Sequence, residues 1–277
     1  MRRFHRLFAA FAVAILVVNG VASASAASLT LTPSKDNTLI QVTAANIQQL
    51  SNGQGDIFVG RTNQDGQNPA TISKRRGLIA FDVAGSGIPA GATITAVSLT
   101  VRDVMGLNGD RATNLHRTTA DWGEGSSFFS GGVGAPATDG DATWFYRFYN
   151  ATTPAASTPW TTAGGDYSAV SSGSSIISDD LGGGQLFTWT SAANPQLLAD
   201  VQSWFANPAA NFGWTMIGDE SAGQTAKRLN SGESNVAPNI PPQLTIEYTT
   251  VPEPNTLAIA ALAFAAMTAA NRKPSHR

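Results

Sequence analysis

Apolar residues recur at every second position in short segments separated by turns, and this spacing constrains the fold more than any other feature of the chain. In "RGLIAFDV", Ile79, Phe81 and Val83 fall on one side, with Ala80 and Asp82 opposite. In "GATITAVSLTVRDV", Val97, Leu99 and Val101 oppose Ser98, Thr100 and Arg102, and in "PPQLTIEYTT", Leu244, Ile246 and Tyr248 oppose Thr245 and Glu247. Alternation of this kind describes strands with one buried and one wet face, as in antiparallel sheets. "NTLIQV", "GDIFVGR", "NLHRTT", "QLFTWT" and "GWTMIGD" supply further strand candidates between turn-rich stretches. The pattern predicts an all-β, antiparallel, jelly-roll-type β-sandwich.

One segment follows a different period. In "NPQLLADVQSWFANP", Leu197, Leu198, Val201, Trp204 and Phe205 form a helical apolar stripe with Asp200, Gln202 and Ser203 off it. Asn194 stands where a cap belongs, Pro195 at the first helical position, and Asn207-Pro208 beyond the end. A short amphipathic helix over about 195–206, covering one end or edge of the sandwich, is expected. From Trp122 to Gln185 the chain is rich in Gly, Ser, Thr, Ala and Pro and reads as long loops.

The two ends are of another kind. Arg2, Arg3 and Arg6, the apolar run Leu7 to Val18, and the small residues Ala24-Ser25-Ala26 form a secretory signal peptide over 1–26, cleaved by signal peptidase. The chain closes on Pro252-Glu253-Pro254, an apolar run from Thr256 to Ala270, and "NRKPSHR". That run gives about 22 Å of helix at ~1.5 Å per residue, short of a bilayer core of about 30 Å. Each end therefore reads as a hydrophobic helix flanking a sandwich domain over 27–250, with 251–277 as the sorting or anchor segment.

Six of the 17 Lys and Arg lie before residue 27 or after Glu253 while all 19 acidic residues lie within 27–253, so that stretch carries 11 basic residues and a formal charge of −8. Such a surface argues against nucleic acid as a partner, because phosphates require cations. The absence of cysteine removes thiolate metal sites and disulfides, and His116 is the single histidine of the domain, so a multi-histidine zinc site is excluded.

The ordered segments "KDNTLIQ", "DIFVGRTN", "RRGLIAFDVAGSGIPAGATITAVSLTV", "TADWGEG", "DATW", "PWTTAGGDYS", "LLADVQSWFANPAANFGWTMIGDES" and "PPQLTIEY" resemble the DNRLRE-domain family over residues 36 to 248. That resemblance implies a β-sandwich akin to the carbohydrate-binding modules of secreted bacterial proteins. The literal string that names the family is absent here, and the loop from Gly123 to Asp141 is lengthened. The C-terminus resembles the PEP-CTERM sorting signal, which implies cutting near Pro252-Glu253-Pro254 by an exosortase-type membrane protease. Residence at the cell surface or in the extracellular matrix follows, with transient or lasting membrane anchoring.

Exposed aromatics stack on pyranose rings, so Trp122, Trp144, Tyr146, Tyr149, Trp160 and Tyr167, in or beside the long loops, are the candidate ligand-binding residues for extracellular polysaccharide. Asp139 and Asp141 in "ATDGDATW" offer hard oxygens at a turn, which suits either Ca²⁺ or an Asx-rich turn; no cofactor is otherwise required. No catalytic residues are assigned. His116 has no evident nucleophile, and in an extended "FYRFYN" Tyr146 and Asn150 face away from Arg147 and Tyr149. The expected role is a non-catalytic module that binds or organises polysaccharide. A structural or adhesive protein without a sugar site is the alternative, and a polysaccharide lyase or hydrolase the third reading.

Overall fold

A computed structural model describes residues 25–63, 73–106, 108–179, 182–234 and 238–250. The expected terminal helices, and with them Ala24, Pro252, Glu253 and Pro254, lie outside the described residues. Ala26–Thr250 forms one unit.

In chain order the strands are β1 (Ser25–Leu31), β2 (Lys35–Ile40), β3 (Leu50–Ser51), β4 (Ile57–Arg61), β5 (Lys74–Ala80), β6 (Thr93–Gly106), β7 (Arg111–Thr118) and β8 (Ala135–Pro136). They continue with β9 (Tyr146–Phe148), β10 (Thr158–Pro159), β11 (Tyr167–Ile177), β12 (Leu186–Thr190), β13 (Trp214–Ile217), β14 (Lys227–Leu229) and β15 (Gln243–Thr250); the helix α1 spans Pro195–Ala206. One curled sheet runs β1-β15-β6-β14-β4-β5-β13-β7-β11, with β12 added to β6 and β2 to β5. The fold is all-β and antiparallel with one short helix, as the alternation requires.

The curl produces two facing layers. Long β6 takes β15 and β12 along its first half, then β14 near its end, and β14 hands the sheet over to β4 and β5. Between the layers lies the main core. Val97, Leu99, Val101, Trp189, Leu244 and Ile246 come from one layer, and Ile57, Val59, Ile79, Leu115, Trp214 and Met216 from the other. The expected inward residues of β6 and β15 are the observed ones.

β5 departs from simple alternation. Ile79 faces the main core, but Leu78 and Ala80 on the opposite side are also buried, in a second cluster with Leu39, Trp122, Ala142, Trp144 and Trp160. The long segment after β7 folds back over this second face as a third layer, so β5 is apolar on both sides because it is buried on both sides. Within the Ser-rich stretch read as loop, Tyr167–Ile177 forms a strand that pairs with β7. Its side chains give almost no apolar alternation, and backbone pairing along an open edge suffices to place it.

Helix α1 buries Leu197, Val201 and Trp204, with Trp204 edge-on to Trp214 at 4.5 Å between ring centroids. Asn194 occupies the N-cap position, yet its side chain makes no cap bond. It accepts from the Ser174 N–H (2.9 Å) and donates to the Thr190 carbonyl (3.1 Å), tying the helix start to the sheet instead. Asp200, expected off the apolar stripe, is 1% exposed. Its carboxylate accepts from Trp214 Nε1 at 3.0 Å, Gln196 Nε2 at 3.0 Å and the Ser172 hydroxyl, which satisfies a buried charge. Asp200→Ala strands the Trp214 N–H and the Ser172 hydroxyl. A loss of about 2–3 kcal/mol is expected, read as a lower urea midpoint at unchanged slope.

Candidate functional site

The third layer begins at Asp121 and is held down on β2 and β5 by cations beneath it. Lys35 Nζ bonds Asp121 Oδ1 (2.7 Å) and the Trp122 carbonyl (2.6 Å) and lies 4.4 Å from the Trp122 ring centroid. Arg76 forms a two-pronged pair with Glu220, Nε–Oε1 2.7 Å and Nη2–Oε2 3.1 Å, while Nη1 donates to the Gly164 carbonyl at 2.9 Å. Its guanidinium also sits 4.9 Å from the Trp144 ring centroid and 5.5 Å from that of Tyr167. Lys74 joins Glu220 at 3.0 Å.

This arrangement decides the fate of the six aromatics. Trp122, Trp144, Tyr149 and Trp160 are buried. The Trp122 indole N–H donates to the Phe212 carbonyl and that of Trp160 to the Thr143 carbonyl, both at 2.9 Å. Tyr146 and Tyr167 are half-buried, Tyr146 spending its hydroxyl on the Ala45 carbonyl at 3.2 Å. The expectation that these six offer rings to a sugar is corrected for the four buried ones: sheet β2-β5 has an apolar outer face that Trp122, Trp144 and Trp160 cover, and Tyr149 lies against Tyr146. Tyr167 borders an open concavity, of about 450 Å³, with Thr119, Thr161 and Asp166, whose carboxylate already accepts from the Thr161 and Thr162 N–H groups.

Asp139 and Asp141 each bond backbone N–H groups. Asp141, fully buried, accepts through Oδ2 from the Thr138 N–H (2.6 Å) and hydroxyl (3.2 Å) and through Oδ1 from the Ser127 N–H (3.4 Å). Asp139 Oδ1 accepts from Ala151 N–H at 2.7 Å. Gly125, at φ +75°, is required here, since a Cβ on it would stand 1.6 Å from Asp141 Oδ1. His116 Nδ1 bonds the Ser168 carbonyl at 2.9 Å and its ring meets Tyr167 at 5.4 Å, all within the β7–β11 pairing.

The surface that does present aromatic rings lies elsewhere. Phe128 is 63% exposed and Phe129 42% exposed, on the loop that follows Ser127. They border a concavity of about 230 Å³ shared with Asp56, Arg228, Glu233 and Asn239. Across Arg228 a second, more apolar cleft of about 350 Å³ is lined by Phe58, Met105, Gly132 and Ala226. Arg228 divides the two, its Nε on Asp56 Oδ2 at 2.6 Å and its guanidinium 5.8 Å from the Phe58 ring centroid. The loop itself is fixed: Phe129 N–H donates to Asn52 Oδ1 (2.8 Å), and Ser127 accepts from Gln54 N–H (2.9 Å). Two adjacent phenylalanines in "GEGSSFFSGG" were the available sequence signal, because a Gly/Ser-rich turn offers little to bury them.

Residues 250–273 match the PEP-CTERM protein-sorting motif. The match marks the chain as an exported, C-terminally sorted protein that passes through exosortase-type machinery. No curated protein matches the chain in sequence.

Burial works to raise the Glu220 carboxyl, but bonds and charge from Arg76, then Lys74, prevail and hold it below the usual carboxylate range. A lowered folded value means the pair stabilises the fold above the ordinary carboxylate pKa, and this contribution fades as pH falls through the folded value. Glu220→Gln is therefore expected to lower the melting temperature at pH 7 and to flatten its fall on acidification, with near convergence on the wild type in strong acid.

Proposed function

We propose that this protein is an exported, non-catalytic β-sandwich module that binds extracellular polysaccharide on the face carrying Phe128 and Phe129. The observation that carries the reading is the pairing of two solvent-facing rings with a groove whose polar groups are of the right kind. Rings take the C–H face of a pyranose, while Asp56, Arg228 and Asn239 reach hydroxyls or a uronate carboxylate. The groove is held from behind by Asn52 and Ser127, so its rings are placed before a ligand arrives, which limits the ordering cost of binding. Resemblance of residues 36–248 to the DNRLRE-domain family accords with the same role, and the sorting motif accords with delivery to the cell surface or matrix.

Absence of catalysis belongs to the same proposal. It rests on His116 being engaged by a backbone carbonyl within paired strands, and on Tyr149 being buried while Arg147 turns to the Asp121 carbonyl at 3.1 Å. A structural or adhesive role without sugar is the second reading, favoured by the burial of four of the six loop aromatics.

Glycan-array and affinity-electrophoresis measurements separate the two. Phe128→Ala with Phe129→Ala is expected to weaken retention by at least tenfold, with the melting temperature kept within a few degrees because both side chains face solvent. Trp160→Phe, altering a buried ring, is expected to leave retention unchanged. Absence of any retained glycan for the wild type would establish the structural reading.

A further inference from the structure

Three carboxylates from distant parts of the chain meet beside the groove. Asp36 comes from β2, Glu124 from the layer after β7, and Glu233 from the turn after β14, and one oxygen of each lies within 4.8 Å of the others. Like charges at such range repel unless something positive stands between them. Among the described residues, the nearby cations are already engaged. Lys35, whose charge reaches Glu124, holds Asp121 and the Trp122 carbonyl, and Arg228 holds Asp56.

Asp36 makes the case specific. It is fully buried, its Oδ2 accepts the Gly232 N–H at 2.7 Å, and its Oδ1 has no hydrogen-bond partner among the described residues. A buried carboxylate oxygen without a partner is costly, and native proteins retain one where a further group completes it. Glu124 Oε1 accepts the Asp36 N–H at 2.8 Å, which aims this second carboxylate at the first. Glu233 is exposed, so the cluster opens to water on one side.

We propose that Asp36, Glu124 and Glu233 hold a divalent calcium ion that joins β2, the layer over β5 and the β14 turn. The donor set is all oxygen and all anionic, which selects a hard cation over zinc or copper. Oxygens within 4.8 Å of one another fit around one centre about 2.3–2.6 Å from each, and three protein carboxylates on one ion suit calcium better than magnesium, which keeps most of its waters. Water completes the coordination on the side of Glu233. Burial, then repulsion from Glu233, raises the Asp36 carboxyl well above its ordinary value, and burial raises Glu124 as well. The site is separate from Asp139 and Asp141, and it stands whether or not the groove binds sugar.

The test uses the full chain, stripped with EDTA and returned to buffer of fixed ionic strength. Titration calorimetry with CaCl₂ is expected to show one site per chain with a dissociation constant between about 10⁻⁶ and 10⁻⁴ M. The melting temperature is expected to rise by several degrees at millimolar Ca²⁺, less with MgCl₂, and not at all with NaCl at matched ionic strength. Glu233→Gln, at an exposed position, is expected to weaken calcium binding at least tenfold while the stripped protein melts no lower than wild type. Asp36→Asn is expected to abolish the calcium response and to raise the melting temperature of the stripped form, since it removes a buried repulsion. No heat and no melting shift for the wild type up to 10 mM Ca²⁺, or an equal shift with NaCl, overturns the proposal. So does calcium binding unaltered in both variants.

Discussion

Burial of β5 on both faces is the constraint on which the rest of the structure depends. Ile79 and its neighbours point into the space between the two sheet layers, which any sandwich would fill. Leu78 and Ala80 point the other way, and with Leu39 of β2 they form an apolar face that water cannot be left to cover. At about 25 cal/mol per Å² of apolar surface, such a face is worth several kcal/mol once covered. The segment after β7 meets that demand with three tryptophans, and Arg76 fixes it by reaching Glu220, the Gly164 carbonyl and the faces of Trp144 and Tyr167 together.

This layer also sorts the aromatic residues into two populations. Rings that lie over β2 and β5 become core, and the indole nitrogens of Trp122 and Trp160 find the carbonyls of Phe212 and Thr143. The chain then turns outward through Gly125 to Ser127, and the next two residues, Phe128 and Phe129, have no apolar face left to cover. The candidate groove therefore results from the packing of the third layer: the same loop supplies buried tryptophans before and after a short exposed aromatic turn.

The fold was largely legible because alternation is a local property. Val97, Leu99 and Val101 of β6, and Leu244 and Ile246 of β15, show their inward faces in any seven-residue window, and the stripe of α1 does so over three turns. Two kinds of feature were not legible. β11 is mostly Ser, Gly and Ala, so its strand character comes chiefly from the exposed edge of β7 rather than from its own side chains. The tryptophans of the third layer sit among glycines and threonines, a setting shared by ligand platforms and by loop cores, and only the apolar outer face of a strand some forty residues earlier separates the two. The candidate cation cluster was hidden more deeply. Asp36 and Glu124 are 88 residues apart and Glu233 is 109 further on, and no spacing rule relates such positions before the fold brings β2, the layer after β7 and the turn after β14 together.

An exported domain of this length without cysteine must fix its long connections by other means, and the polar cross-links lie where disulfides would otherwise serve. Asp200 joins α1 to β11 and β13; Arg76 with Glu220 joins β5, the turn after β13 and the third layer; Asp141 closes the loop that carries the phenylalanines. The Arg76–Glu220 link spans 144 residues and the Asp200 and Asp141 links span 28 or fewer, and the entropy of closing such loops grows only slowly with their length. These links share a design: one charged group is buried and then satisfied by several donors or acceptors at once. The Asp36–Glu124–Glu233 cluster has the long reach of the Arg76–Glu220 link but lacks the satisfying group, since its three members are all anions. Among links of otherwise uniform construction, that difference is what separates a structural tie from a site for an external cation.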